Sequence, residues 1–212
     1  MTDLNFRESV RSLLHERLLD AAQEITVVKG WSDVTMARIA DIVGVSRQTV
    51  YNEFGSKPEL ADELVMRELG RFLDVVRTRM LEHDAIVEGI RSACEGALTM
   101  AESNPLLGAV LGSIHQRDND LVPLLTTESQ GVIDVAKATV VGVIHQRHPD
   151  LKLTDEQHDI AADAVVRLVL SHIMRPSVSS AEAADQIAWI VGKVLDADSP
   201  PTPGRPWATG GA

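Results

Sequence analysis

A single cysteine, Cys94, rules out any disulfide within the chain and fits a reducing compartment. Aromatic residues are nearly as scarce: three tryptophans, three phenylalanines and one tyrosine. An aromatic-walled site for flat or cationic molecules can therefore scarcely be built. No apolar run approaches the ~20 residues of a membrane span, and Arg167 interrupts the best stretch, 164–173. The opening residues are polar and lack the apolar core of a signal peptide. These absences lead us to expect a cytoplasmic protein with no membrane partner. Absent too are GxxxxGK, HExxH, GxSxG and GxGxxG, so no familiar catalytic motif supports an enzyme, and no cofactor is expected.

What is present is helical patterning over a 212-residue chain with a net charge of −11. The acidity is uneven: residues 1–60 carry seven basic and nine acidic side chains, against 13 and 22 in the remainder. A nearly neutral head on an acidic body can be oriented by a polyanion, although solubility explains the charge equally well. Val10, Leu14, Leu18, Ala21, Ile25 and Val28 mark one face of a first helix that Gly30 ends. Thr35 caps a helix over 36–43, Gly44 takes a left-handed turn, and Ser46 caps a helix over 47–54. Ser56, Pro58 and Glu59 open a long helix to about Met80, with Leu60, Leu64, Leu69, Phe72 and Val76 turned inward. Asn104-Pro105 divides a helix over 85–103 from the next. Residues 126–147 are β-branched in part, but their length without a turn signal favours a helix. Thr154 with Gln157, and Ser179 with Glu182, start two more. The expected fold is all-α with about nine helices. Residues 1–56 are expected to form a three-helix head, 57–197 a helical body, and 198–212 a disordered proline- and glycine-rich tail.

The functional signal lies in Thr35 to Lys57. Ile39, Ala40 and Val43 supply small or branched contacts from one short helix; Val45, Val50 and Phe54 answer from the turn and the next. Outside that core, Arg47 and Gln48 have the groups that read guanine and adenine edges, while threonine and tyrosine hydroxyls suit phosphate oxygens. Thr35 and Lys57 flank the unit. The candidate DNA-contacting set is Thr35, Ser46, Arg47, Gln48, Thr49, Tyr51, Asn52 and Lys57. A helical hairpin with a solvated polar face, docking on protein instead, is the competing reading.

The order Thr35, Ile39-Ala40, Gly44-Val45-Ser46, Thr49, Tyr51, Phe54, Lys57 resembles the signature of the TetR family of bacterial transcriptional regulators. The resemblance covers about 25 residues. It implies Thr35, Thr49, Tyr51 and Lys57 on phosphates, and Arg47 and Gln48 on bases. Asn52 departs from the His or Tyr common after the tyrosine. The resemblance also implies a homodimer on a palindromic operator, usually repressing, and a body that holds a small effector. Two apolar stripes near the chain's end suit that dimer interface or, equally, an intrachain core: Ala161, Val165 and Leu168, then Ala184, Ile187, Ala188 and Val191, with Trp189 at the edge.

For the effector, composition favours an aliphatic molecule such as a fatty acid or related lipid. Met66, Leu69, Phe72, Leu73, Met100, Leu107, Leu111, Ile114 and Val135 are candidate wall residues, with Gln130, His115 or His172 near a polar head group. A wall lined by charge would overturn this expectation. Metal sensing is the weaker alternative: His145 and His148 stand three apart, with Glu156, His158 and Asp159 downstream, but one cysteine and no ligand cluster assign no metal site.

Overall fold

The structure, a computed structural model, describes residues 2–112, 121 and 130–196, and among them every regular element is helical. Among the described residues nine α-helices have assigned bounds: α1 (Thr2–Lys29), α2 (Met36–Val43), α3 (Arg47–Phe54), α4 (Lys57–Leu81), α5 (Ile86–Ser103), α6 (Pro105–Gly112), α7 (Gln130–Arg147), α8 (Asp155–Met174) and α9 (Ser180–Leu195). A 3-10 turn, Trp31–Asp33, joins α1 to α2. Ile114 and His115, the first residues of the helix expected from 126, and the tail fall outside the described residues.

Local chemistry sets the helix starts. Thr35 Oγ1 accepts from Arg38 N at 3.1 Å, Ser46 Oγ from Thr49 N at 3.1 Å, Ser56 Oγ from Glu59 N at 3.3 Å and Ser179 Oγ from Glu182 N at 3.2 Å. Thr154 and Gln157 form a full capping box. Between α2 and α3, Gly44 sits at φ 80°, ψ 34° and closes the turn by donating its N–H to Ala40 O at 2.9 Å. A Cβ there would meet nothing within 4 Å, so a side chain pays only the left-handed backbone cost. Gly44→Ala is therefore expected to lower unfolding stability by about 1–2 kcal/mol, checked by urea denaturation, with the α2–α3 fold intact.

The head's core gathers Leu18, Ala22 and Ile25 of α1, Trp31, Val34, Ile39, Ala40, Val50 and Phe54, closed by Leu60 and Leu64 of α4. Two residues of the expected α1 face lie outside it: Val10 is 49% exposed and Val28 71%. Val28 falls just before the chain reverses at Gly30, whose turn sends Trp31 inward in its place. In the body, α4 packs along α5, and α5 along α9. The first pair approaches closely at Gly89, where a Cβ would stand 3.2 Å from Met80 O. Arg67, nearly buried, ties α4 back to α1 through Glu16, Asp20 (2.8 Å) and Gln23 (2.6 Å).

Candidate nucleic-acid interface and internal cavity

Val50 and Phe54 seat α3 on the head core and leave its opposite face outward. On that face the polar side chains pair one helical turn apart. Arg47 Nη2 donates to Tyr51 Oη at 3.1 Å and its guanidinium lies 5.2 Å from the ring centre; Gln48 Nε2 donates to Asn52 Oδ1 at 2.9 Å. Ser46 and Thr49 hydroxyls share a 2.8 Å bond. Thr35, Ser46, Arg47, Gln48 and Asn52 are exposed, Thr49 and Tyr51 partly so. Lys57 is turned inward: its Nζ donates to Trp31 O at 3.0 Å and lies 5.1 Å from the indole centre. Glu53, on the flank of α3, receives Arg11 Nε and His15 Nδ1, each at 3.2 Å, so α1 fixes the pitch of α3.

The body encloses a cavity of about 160 Å³. Of the wall residues expected from sequence, Leu69, Phe72, Leu73 and Leu107 line it. Met66, Met100, Leu111 and Val135 do not, nor do the polar candidates Gln130 and His172. Helix phase explains the difference. Leu60, Leu64, Glu68, Phe72 and Val76 repeat at four-residue steps along the inner side of α4, and Met66 falls across the helix from them. On α7, Val132, Ala136 and Val140 face the cavity, Val135 faces solvent, and Gln130 bonds Asp134 along the helix at 2.7 Å. Among the described residues the polar part of the wall is Glu68 with Asn104, neither of which the sequence marked as a wall residue. Asn104 Nδ2 donates to Glu68 Oε2 at 2.9 Å, and Arg71 Nη1 to Glu68 Oε1 at 2.5 Å. Among the described residues the wall carries one carboxylate, matched by a guanidinium, and the rest of that lining is aliphatic apart from Phe72, the Met80 thioether and the Cys94 thiol. Burial pushes that thiol's pKa up to about 12, which keeps it protonated at neutral pH.

Residues 85–193 match the family described as "Bacterial Tetracyclin repressor, C-terminal domain", and residues 18–64 match "Bacterial regulatory proteins, tetR family". The chain belongs to the TetR family. Among its relatives, the HTH-type transcriptional regulator AlkX of Mycobacterium tuberculosis is 29% identical over 191 residues, spanning 88% of this chain and 87% of that protein. The solved structure of the TetR family repressor AlkX from Dietzia sp. strain DQ12-45-1b, implicated in biodegradation of n-alkanes, matches with a TM-score of 0.70 at 24% identity; it covers 85% of this chain and 94% of that one. FadR of Thermus thermophilus in complex with lauroyl-CoA matches with a TM-score of 0.61 at 18% identity, covering 90% and 100%. This TetR-family protein is a DNA-binding helix-turn-helix transcriptional regulator.

Of the two places left open for the terminal stripes, several of their residues take the intrachain core. Ala184, Ile187 and Ala188 are buried inside this one chain, and Val191 and Leu168 pack against the same core. Val165 lines the cavity. Ala161, Val165, Leu168 and Val191 all remain partly exposed. Small and branched side chains suit a core as well as an interface, and α5 claims these. The apolar side chains left outward are Trp189, Ile190 and Val194 on α9, and Ile160 with Ala164 on α8. Among the described residues no helix is long and apolar enough to cross a membrane.

Proposed function

We propose that this TetR-family regulator is a homodimeric repressor that occupies a palindromic operator and leaves it when a small aliphatic effector fills the body's cavity. The head is residues 1–56 and the body 57–197. The observation that carries the DNA reading is α3 itself, a helix seated by two apolar residues and presenting a continuous polar row outward. In the major groove, Arg47 and Gln48 read base edges; Thr35, Ser46, Thr49, Tyr51 and Lys57 hold phosphates, with Asn52 beside Gln48. Lys57 keeps two N–H donors beyond the one on Trp31 O.

The effector reading rests on the cavity wall. An aliphatic chain removes its surface from water against leucine, valine and isoleucine without leaving a polar group unpaired. Glu68 narrows the class. Its negative charge disfavours a second carboxylate beside it, so the end of the ligand there is uncharged. Hydrocarbons, alcohols and acyl esters or thioesters meet that condition. A path to the head runs through Leu106 and Leu121, which belong both to the cavity wall and to the head's core, and through α4, which crosses from one to the other. An effector that fits only one arrangement of these helices shifts the population of head spacings.

Selection of duplexes from a random pool, followed by titration, tests the DNA reading. Arg47→Ala is expected to lose about 10–100-fold in affinity for the selected duplex and to relax preference at one base step, while binding to unrelated DNA changes little. Equal affinity of both proteins for every duplex would favour a protein-docking module instead.

A further inference from the structure

We propose that His145, His158 and Asp155 form a binding site for one divalent transition cation of the zinc class, where the end of α7 meets the first turn of α8. His145 Nε2 lies 3.3 Å from His158 Nδ1 and 3.8 Å from Asp155 Oδ1. The three ligand atoms all fall within 4.8 Å of one another. Two nitrogens bound to a tetrahedral zinc at about 2.0–2.1 Å stand about 3.3–3.4 Å apart, so the imidazoles already have the required separation. Asp155 is almost fully exposed and turns freely to close the third bond, leaving the fourth position to water.

The site is built by its scaffold. The Thr154–Gln157 capping box fixes the start of α8, which places Asp155 at the first helical position and His158 one turn on. The connection from α7 is held by His148 N donating to Ile144 O at 2.7 Å and Leu151 N to His148 O at 3.1 Å. His158 is a buried polar side chain whose Nδ1 bonds His145, and among the described residues its Nε2 has no partner. Two imidazoles and one carboxylate select zinc, nickel, cobalt or copper over magnesium or calcium. Without an outer acceptor on His158 Nε2, the affinity belongs in the micromolar range rather than the nanomolar. His148 and Glu156, close in sequence, lie outside the cluster, and Asp159 is engaged by Lys137 at 2.7 Å. Both helices also wall the cavity, so the cation would pin their relative position.

The test is titration of untagged, chelator-stripped full chain with Co²⁺, read by its ligand-field absorption, and then displacement by Zn²⁺. One cation per chain with a tetrahedral or five-coordinate spectrum is expected. His145→Ala, at a half-exposed position, should weaken binding at least 100-fold with helicity unchanged, and Asp155→Asn about tenfold; His83→Ala should change nothing. Absence of one-per-chain binding, or binding that both His145→Ala and Asp155→Asn leave intact, would overturn the proposal and leave the two histidines a simple hydrogen-bonded pair.

Discussion

Trp189→Glu is expected to yield a folded monomer that no longer holds its operator. Trp189 is 66% exposed on α9, beside Ile190 and Val194, with Ile160 outward on neighbouring α8. A tryptophan standing in water among aliphatic neighbours is a surface that a second copy would cover. In a two-fold interface each substitution occurs twice, so two glutamates are introduced as two indoles are removed. We expect the dimer dissociation constant to rise at least 100-fold, read by sedimentation at several concentrations. Operator affinity should fall in step, because each head alone holds only one half-site. The helical circular-dichroism signal should stay, since Trp189 lies outside the chain's core. Ile187→Glu provides the contrast: at 1% exposure it should unfold the protein rather than divide it. A Trp189→Glu protein that remains dimeric would place the interface elsewhere.

The contrast between Trp189 and Ile187 also marks what the sequence allowed one to read. Where structure is set within a few residues, the residues announce it. Thr35, Ser46, Ser56, Thr154 and Ser179 each cap the helix expected of them, and Gly44 takes the left-handed turn. The α2–α3 contact is likewise short-range, so Ile39, Ala40, Val50 and Phe54 could be named as its core. Partner choice between distant helices is another matter. Ala184 and Ile187 serve an intrachain groove or a dimer equally well, and only the position of α5 decides. Glu68 was legible in principle, as a charge in phase with Leu60, Leu64 and Phe72, but attention to apolar residues alone passes over it. His145 and His158 are 13 residues apart across a turn, a separation that carries no ligand signature until α7 and α8 are laid side by side.

Filling the cavity should uncouple the regulator from its effector without weakening its grip on DNA. Ala136 is the site for this. It lies on α7, is almost buried, and faces the cavity between Val132 and Val140. In Ala136→Phe the ring enters space otherwise left to the ligand's chain. A packed residue enlarged this way strains its neighbours by about 1–3 kcal/mol, but here an apolar void receives the added atoms. Thermal stability should therefore hold or rise slightly. The head is untouched, so affinity for the selected duplex should stay within about twofold. Release from DNA by straight-chain alcohols and acyl esters of increasing length should need at least tenfold more ligand than for wild type, with the longest chains affected most. The gradation with length separates blockage of an elongated site from general damage to signalling, which would depress every ligand alike. If Ala136→Phe is released at wild-type concentrations, the effector binds outside this cavity, and the head and body communicate by a route other than Leu106, Leu121 and α4.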